Sequence, residues 1–221
     1  MNVAIVGAGR IGGNIAHQLA RAGHDVTVSF ARDLDALRAL AGEIGATAAP
    51  SAEAVAGADL VVISVPWGVL PEALDAAGSL AGKPLIDTTN QFGAGPMPAA
   101  GQTAAAFNAA RMPGARYTKC FNTLTAAFQA ETAHRDPRVV QWLCGDDDEA
   151  KLLVARLVRE AGYEPVDLGG TAGCEVMEAP RRAGAVYGEE YRLPEAEPVV
   201  AAVRAGRPIP PPPRYSGAGI G

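Results

Sequence analysis

Apolar and polar residues alternate along the first part of the chain with two distinct periods. Short, mostly apolar runs that end near glycine or proline predict buried strands, at residues 3–6, 25–30, 60–65 and 85–87. Between these runs, apolar residues recur at helical spacing, as Ile11, Ile15 and Leu19 do before Gly23. Strands that alternate with helices predict an α/β fold with a Rossmann-type, doubly wound parallel sheet.

The pattern loosens in the second part of the chain but keeps both periods. Residues 102–110 predict a helix, and an acidic run at 146–149 predicts the start of another, because carboxylates favour the positive end of a helix dipole. Further strands are predicted at residues 115–120, 139–144 and 163–168. We therefore divide the chain into a dinucleotide-binding domain over residues 1–113 and a small C-terminal α/β portion over residues 114–170.

The composition changes after Gly169, where glycine, arginine and proline accumulate. Residues 208–213 contain five prolines, which favour extended polyproline II without internal hydrogen bonds. We predict that residues 171–221 form an irregular, Pro-rich tail. Such a tail is loose, or an arm at a homodimer interface, or, as a less favoured alternative, a ligand for an aromatic groove.

A glycine-rich turn follows the first predicted strand and opens the first predicted helix. Gly7, Gly9 and Gly12 match the pattern G-x-G-x-x-G, with Arg10 and Ile11 between the last two. Gly7 permits a tight turn, Gly9 lets a pyrophosphate approach the backbone, and Gly12 lets the helix pack closely on the sheet. The sequence therefore predicts a dinucleotide site at this turn, with all five residues in contact with the cofactor.

The end of the second predicted strand distinguishes NAD from NADP. An NAD site places an Asp or Glu roughly 20 residues beyond the glycines, and this chain has Ser29 and Arg32 there instead. A guanidinium can hold a 2′-phosphate through two hydrogen bonds. We therefore predict NADP(H), held by Ser29 and Arg32, although Arg32 as an ordinary solvated residue is the alternative.

Polar and aromatic residues follow three predicted strands at the edge where open α/β sheets bind their ligands. The predicted contacts of the nicotinamide half are Val65, Pro66, Trp67 and Asn90. For Trp67, plain packing is an equally good interpretation. The predicted residues of the catalytic cleft are Asn90, Asn122 and His134. No stronger acid/base set is evident, and hydride transfer tolerates that, because the cofactor supplies the chemistry.

Composition narrows the class of protein further. The net charge of −5 argues against a nucleic-acid partner, and no apolar run is long enough to span a bilayer. Cys120, Cys144 and Cys174 are widely spaced and form no C-x-x-C pair, so we interpret each as a buried thiol. We expect a cytoplasmic protein without a signal peptide or a metal site.

Five motifs in order resemble the coenzyme F-420-dependent NADP reductase family. They lie at residues 2–13, 61–67, 86–90, 119–123 and 144–147. The resemblance implies hydride transfer between NADP(H) and the deazaflavin coenzyme F-420, a Rossmann domain with a small C-terminal portion, and a homodimer. It also implies that Ser29 and Arg32 hold the 2′-phosphate, that Pro66 and Trp67 border the nicotinamide, and that Asn90 and the region of Asn122 line the cleft.

Three hypotheses about function follow. The leading one is an NADP(H)-dependent oxidoreductase with coenzyme F-420 as the small-molecule co-substrate. The second is a reductase of a small imine or carbonyl compound, with Tyr187, Glu190 or Tyr191 as proton donor. The third is an NADP-binding regulatory protein without catalysis, which uses the Pro-rich tail to bind a partner.

Overall fold

The computed structural model describes residues 1–215, and within them the strands form a single eight-stranded sheet. The strand order is β3-β2-β1-β4-β5-β6-β7-β8. The strands are β1 (Asn2–Val6), β2 (Asp25–Ser29), β3 (Thr47–Ala48), β4 (Leu60–Ile63), β5 (Pro84–Asp87), β6 (Arg116–Cys120), β7 (Val140–Cys144) and β8 (Glu164–Asp167). The strand predictions are confirmed, and the short edge strand β3 is added to them.

Helices cover both faces of this sheet. They are α1 (Arg10–Arg21), α2 (Leu34–Ile44), α3 (Ser51–Ala56), α4 (Leu70–Ala77), α5 (Ala104–Ala110), α6 (Ala126–Thr132), α7 (Asp148–Glu160) and α8 (Leu193–Arg204). Alternate residues of β1 enter two different apolar clusters, with Ala4 and Val6 on one face and Val3 and Ile5 on the other. A strand whose successive side chains are all buried needs this cover on both faces, which confirms the doubly wound α/β prediction.

All strand pairs are parallel except one. Strand β6 pairs with β7 in the antiparallel sense, with Lys119 opposite Cys144 and Cys120 opposite Leu143. Strands β7 and β8 are parallel again. The portion predicted over residues 114–170 therefore extends the same sheet and shares its core, so the two parts of the chain are joined by continuous strand pairing.

The C-terminal part is more ordered than predicted, and the irregular tail over residues 171–221 needs correction. A 3-10 segment covers Thr171–Met177, and α8 buries Ala196, Val199 and Ala202 against the body. Two prolines conceal this helix in the sequence. Pro194 lies in its first turn, where no backbone N–H is needed, while Pro198 removes one internal hydrogen bond. Residues 208–213 form no regular element and are largely exposed, and residues 216–221 lie outside the described part of the chain.

The cysteine prediction is right for one residue and wrong for two. Cys120 is fully buried, and burial raises the pKa of its thiol. Cys144 and Cys174, however, form a disulfide with their Cα atoms 5.9 Å apart. The bond joins the end of β7 to the 3-10 segment Thr171–Met177. A separation of 30 residues gives no local signal for such a pair, because only the fold brings the two positions together.

Candidate active site

The glycine turn between β1 and α1 has the shape that a dinucleotide phosphate requires. Gly7 has a φ of +98°, and its N–H donates to the carbonyl oxygen of Ser29 over 3.0 Å. A Cβ on Gly12 would overlap the carbonyl oxygen of Gly7, whereas a Cβ on Gly9 would meet no atom within 4 Å. Gly7 and Gly12 therefore close the turn internally, and the face of Gly9 opens onto the cleft. The N-cap residue Gly9 has no side chain to occupy the first amides of α1, which suits an anion there.

The structure separates the two residues that were predicted for the 2′-phosphate. Ser29 is completely buried, and its hydroxyl donates to the carbonyl oxygen of Ile5 over 3.2 Å. The predicted contact of the Ser29 hydroxyl is therefore corrected: the side chain lies inside the sheet, and Ser29 supports the turn through its own carbonyl oxygen. Arg32 is exposed and directly precedes Asp33, the N-cap of α2. Its contact with the 2′-phosphate stays a prediction.

A cleft of about 370 Å³ begins at the glycine turn and follows the carboxyl ends of β4 and β5. Its lining contains most of the predicted cofactor residues: Gly9, Arg10, Ile11, Val65, Pro66, Trp67 and Asn90. Ser64, Thr88, Thr89 and Phe92 complete it. The structure thus brings residues from three separate motifs together at one edge of the sheet, as expected for an open α/β fold.

Trp67 contributes to this wall mainly through packing. Its side chain is 1% exposed, and the indole N–H donates to the carbonyl oxygen of Pro96 over 2.8 Å. The ring stacks on Phe107 with 5.8 Å between the centroids. These contacts are those of a packing residue, which favours that interpretation of Trp67 over a role as a pocket wall. Val65 and Pro66 then border the open space of the cleft.

Two asparagines join the ends of β5 and β6. The Nδ2 of Asn90 donates to the backbone carbonyl of Asn122 over 2.9 Å, and the Nδ2 of Asn122 donates to the Oδ1 of Asn90 over 3.1 Å. A second cavity of about 210 Å³ lies beside them and shares Ile11, Thr88 and Asn90 with the first. The two predicted cleft asparagines are therefore adjacent in space and lie where the two cavities share lining residues.

The remaining acid/base candidates divide clearly by position. His134 was predicted for the cleft, but it lines neither of these two cavities. Its Nε2 lies 3.1 Å from the Oε1 of Gln18, and its backbone N–H donates to the carbonyl oxygen of Gly162. Glu190 and Tyr191 are buried elsewhere, beside Arg192 and Trp142 respectively. Only Tyr187 of the predicted donors lines a cavity, the smaller one.

A buried charged network beneath the cleft was missed in the sequence. The Nζ of Lys119 lies 3.6 Å from the Oδ2 of Asp87 and donates to the carbonyl oxygen of Thr89 over 2.7 Å. Asp87 also accepts from Tyr117 and Asn108. Burial alone would raise the pKa of Asp87, but the Lys119 charge and these hydrogen bonds outweigh it and hold the pKa below its usual value. The sequence did carry a signal for this network, because the buried strands β5 and β6 each contain one charged residue, Asp87 and Lys119.

This network positions the polar loop that follows β5. Thr89 is held by its carbonyl oxygen to Lys119, by its N–H to Asp87 and by its hydroxyl to Asn108. Because the next residue is Asn90, three buried contacts determine where the cleft asparagine stands.

Comparison with known proteins agrees with this site. Residues 2–91 match the model of the family described as NADP oxidoreductase, coenzyme F420-dependent. This part of the chain is similar to that family of NADP oxidoreductases, and the match includes the glycine turn, Arg32, Val65, Pro66 and Asn90.

Solved structures extend the similarity beyond the matched residues. A protein from Arthrobacter sp. FB24 assigned as an F420-dependent NADP reductase is 29% identical, with a TM-score of 0.68, covering 79% of this chain and 87% of that chain. A hypothetical protein from Sinorhizobium meliloti is 25% identical, with a TM-score of 0.76, covering 87% and 95%. The similarity of fold thus extends over most of the chain, and over most of both neighbours.

A curated relative shares only part of its length with this chain. Metalloreductase STEAP3 of Rattus norvegicus is 29% identical over 127 residues, which cover 58% of this chain and 26% of that protein. The chain therefore spans about a quarter of that relative. In the part that the structure describes, no helix is long and apolar enough to cross a membrane.

Proposed function

We propose that this oxidoreductase transfers a hydride between NADP(H) and the deazaflavin coenzyme F420. One observation carries the proposal: the cleft at the glycine turn shares Ile11, Thr88 and Asn90 with a second cavity, next to the Asn90–Asn122 pair. A hydride donor and its acceptor must lie side by side, and two cavities with shared walls provide adjacent sites for them. The assignment of the Arthrobacter protein supports the choice of acceptor.

The residues of the chain bind and orient the two reactants. The glycine turn and the first amides of α1 suit the pyrophosphate, and Arg32 is the proposed partner of the 2′-phosphate. Val65 and Pro66 would border the nicotinamide, and the Asn90–Asn122 pair would lie at the edge of its ring, where the two cavities share lining residues. When bound, NADPH supplies the hydride and is oxidised, while the acceptor takes the hydride together with one proton from solvent.

A second candidate function rests on Tyr187. Burial raises the pKa of its phenol, so at neutral pH the side chain is a neutral hydrogen-bond donor at the edge of the smaller cavity. A donor of that kind would suit the reduction of a small imine or ketone by NADPH. The regulatory alternative has no comparable observation in its favour.

Spectroscopy under anaerobic conditions distinguishes these functions. The purified chain is mixed with NADPH and oxidised F420, then with NADP and reduced F420, and the absorbance of both cofactors is followed. Our proposal expects turnover in both directions and none with a panel of small imines and ketones. Turnover with the panel alone would support the Tyr187 candidate, and tight NADP binding without any turnover would support the regulatory one.

The homodimer implied by the family resemblance and the cytoplasmic location expected from the composition stay predictions. Sedimentation velocity on the purified chain measures the first directly. A mass of twice 22.6 kDa is the expected result.

A further inference from the structure

The loop that follows β5, residues 91–97, carries an aromatic side chain at the rim of the larger cavity. Phe92 lines that cavity, together with Val65, Pro66 and Asn90, and it is 54% exposed. A half-exposed phenyl ring at the rim of a cavity offers a face on which a planar ring of a ligand can stack. The position of Phe92 is therefore part of the binding geometry, and it depends on what holds the loop.

Side chains hold loop 91–97 at both of its ends. At the start, the Nε2 of Gln91 donates to the carbonyl oxygen of Ala179 over 3.0 Å. Near the other end, the indole N–H of Trp67 donates to the carbonyl oxygen of Pro96 over 2.8 Å. An indole has one donor and no acceptor, so this bond uses the whole hydrogen-bonding capacity of Trp67. The backbone between the two bonds carries Phe92.

Trp67 is itself held in place on the side of α5. Its ring stacks on Phe107 of that helix, and the guanidinium carbon of Arg111, the C-cap of α5, lies 5.9 Å from the ring centroid. The next residue brings the backbone into direct contact with the loop, because a Cβ on Gly68 would overlap the carbonyl oxygen of Ala94. Trp67 and Gly68 thus form a fixed support for loop 91–97.

We propose that Trp67 is a positioning residue for the nicotinamide. Its bond to Pro96 fixes loop 91–97, and the loop holds Phe92 against the nicotinamide ring. Trp67 acts through the loop and not by contact with the cofactor, because it is only 1% exposed.

The proposal confines the effect of Trp67 to one half of the cofactor. Arg32, the proposed partner of the 2′-phosphate, follows β2, whereas loop 91–97 follows β5, with β1 and β4 between these strands. Loosening the loop should therefore weaken binding of the nicotinamide half and leave binding of the adenosine half unchanged. This inference rests on the NADP(H) site of the proposed function and does not depend on the identity of the hydride acceptor.

The test compares NADPH with adenosine 2′,5′-bisphosphate, which carries the 2′-phosphate but no nicotinamide. Calorimetry gives the Kd of each ligand for the parent protein, for Trp67→Phe, for Phe92→Ala and for the variant with both substitutions. Phenylalanine at position 67 retains an aromatic ring but has no N–H for Pro96. Gly68→Ala reaches the same loop by a second route, because its Cβ displaces Ala94 while the indole stays in place.

Trp142→Phe is the matched control. Trp142 is also 1% exposed, but its indole N–H has no hydrogen-bond partner among the described residues, and it lines neither cavity. Both Trp→Phe substitutions remove the same volume from the core, so both should lower the melting temperature. Only Trp67→Phe releases the loop, so a difference in ligand binding between the two variants reports on the bond to Pro96.

We expect Trp67→Phe, Phe92→Ala and Gly68→Ala each to raise the Kd for NADPH roughly three- to tenfold, the range of one aromatic contact. The Kd for adenosine 2′,5′-bisphosphate should stay within about twofold in every variant, and Trp142→Phe should match the parent protein for both ligands. The double variant should bind NADPH about as well as Phe92→Ala alone, because Trp67 acts through Phe92.

Three results would overturn the role of Trp67: an unchanged Kd for NADPH in Trp67→Phe, equal losses for both ligands, or losses that multiply in the double variant. If Trp67→Phe does not fold, an unchanged Kd for NADPH in Gly68→Ala would overturn it as well. A parent protein that binds NADPH but neither binds nor reduces F420 would refute the proposed acceptor alone. If the parent protein does not bind NADPH, the proposed function and this inference both fail.

Discussion

Substituting Gly9 by alanine separates binding of the cofactor from folding of the turn. The backbone of Gly9 has a φ of −72° and a ψ of −160°, which alanine adopts without strain. Its Cβ would meet no protein atom within 4 Å. We therefore expect the free energy of unfolding of the unliganded protein to change by less than about 1 kcal/mol.

The added methyl group instead occupies the space where the pyrophosphate must approach the backbone. Forcing an extra carbon into a packed contact costs about 1–3 kcal/mol. At 1.4 kcal/mol per factor of ten, that cost raises the Kd for NADPH roughly 5- to 150-fold. Fluorescence titration with NADPH measures the Kd, and urea unfolding of the unliganded protein measures stability.

Two neighbouring glycines provide the controls for Gly9→Ala. A Cβ on Gly13 would lie 3.7 Å from Ala8 and Leu40, an ordinary contact, so Gly13→Ala should stabilise α1 by up to about 1 kcal/mol and leave the Kd unchanged. A Cβ on Gly12 would overlap the backbone of Gly7, so Gly12→Ala should lose both stability and binding. The reasoning is refuted if Gly9→Ala binds NADPH as tightly as Gly13→Ala does.

Three further predictions concern the cofactor preference and the core. Arg32→Glu should raise the Kd for NADPH at least about tenfold, because repulsion replaces a charge-assisted hydrogen bond to the 2′-phosphate. The Kd for NADH should stay nearly unchanged. Equal losses of affinity for both cofactors would contradict the contact between Arg32 and the 2′-phosphate. Lys119→Met leaves the Asp87 carboxylate buried without its partner and should cost about 3–5 kcal/mol in urea unfolding at pH 7. In the parent protein, the depressed pKa of Asp87 stabilises the fold above its usual value of 3.8, and this contribution is lost as the pH falls through the lower value in the folded state. Removing Lys119 raises the pKa of Asp87, and protonation then relieves the unpaired charge, so the stability deficit of Lys119→Met should shrink as the pH falls; a deficit that does not change with pH would argue against the ion pair. Reducing the disulfide, or replacing Cys144 and Cys174 by alanine, should lower the free energy of unfolding by about 2–4 kcal/mol, as expected for a 30-residue loop. Equal free energies of unfolding with and without the bond would show that it does not stabilise the fold.

The glycine turn and the parallel sheet could be predicted because their signals are local. The run that ends at Val6 is buried on both faces, Gly7 has a positive φ, and a Cβ on Gly12 would overlap the carbonyl oxygen of Gly7 five residues earlier. Such features depend on residues that are close in sequence, so hydrophobic periodicity and turn-forming residues predict them well.

The corrections all concern features that depend on distant parts of the chain. Ser29 has the right chemistry for a phosphate, but its side chain is buried and its hydroxyl donates to Ile5 of the neighbouring strand β1. His134 looked like a residue of a polar loop, yet the loop folds back onto Gly162. Pro198 conceals α8, because burial of its apolar side on the sheet outweighs one missing hydrogen bond.

Continuous strand pairing from β1 to β6 has a consequence for how ligands enter and leave. The glycine turn, Val65, Asn90 and Asn122 follow β1, β4, β5 and β6, which are successive neighbours in the sheet. The walls of the cleft therefore cannot rotate apart as rigid bodies without breaking strand pairs. Solution scattering should give the same radius of gyration with and without NADP, and cofactor release should be controlled by rearrangement of the exposed loop around Phe92 rather than by a hinge.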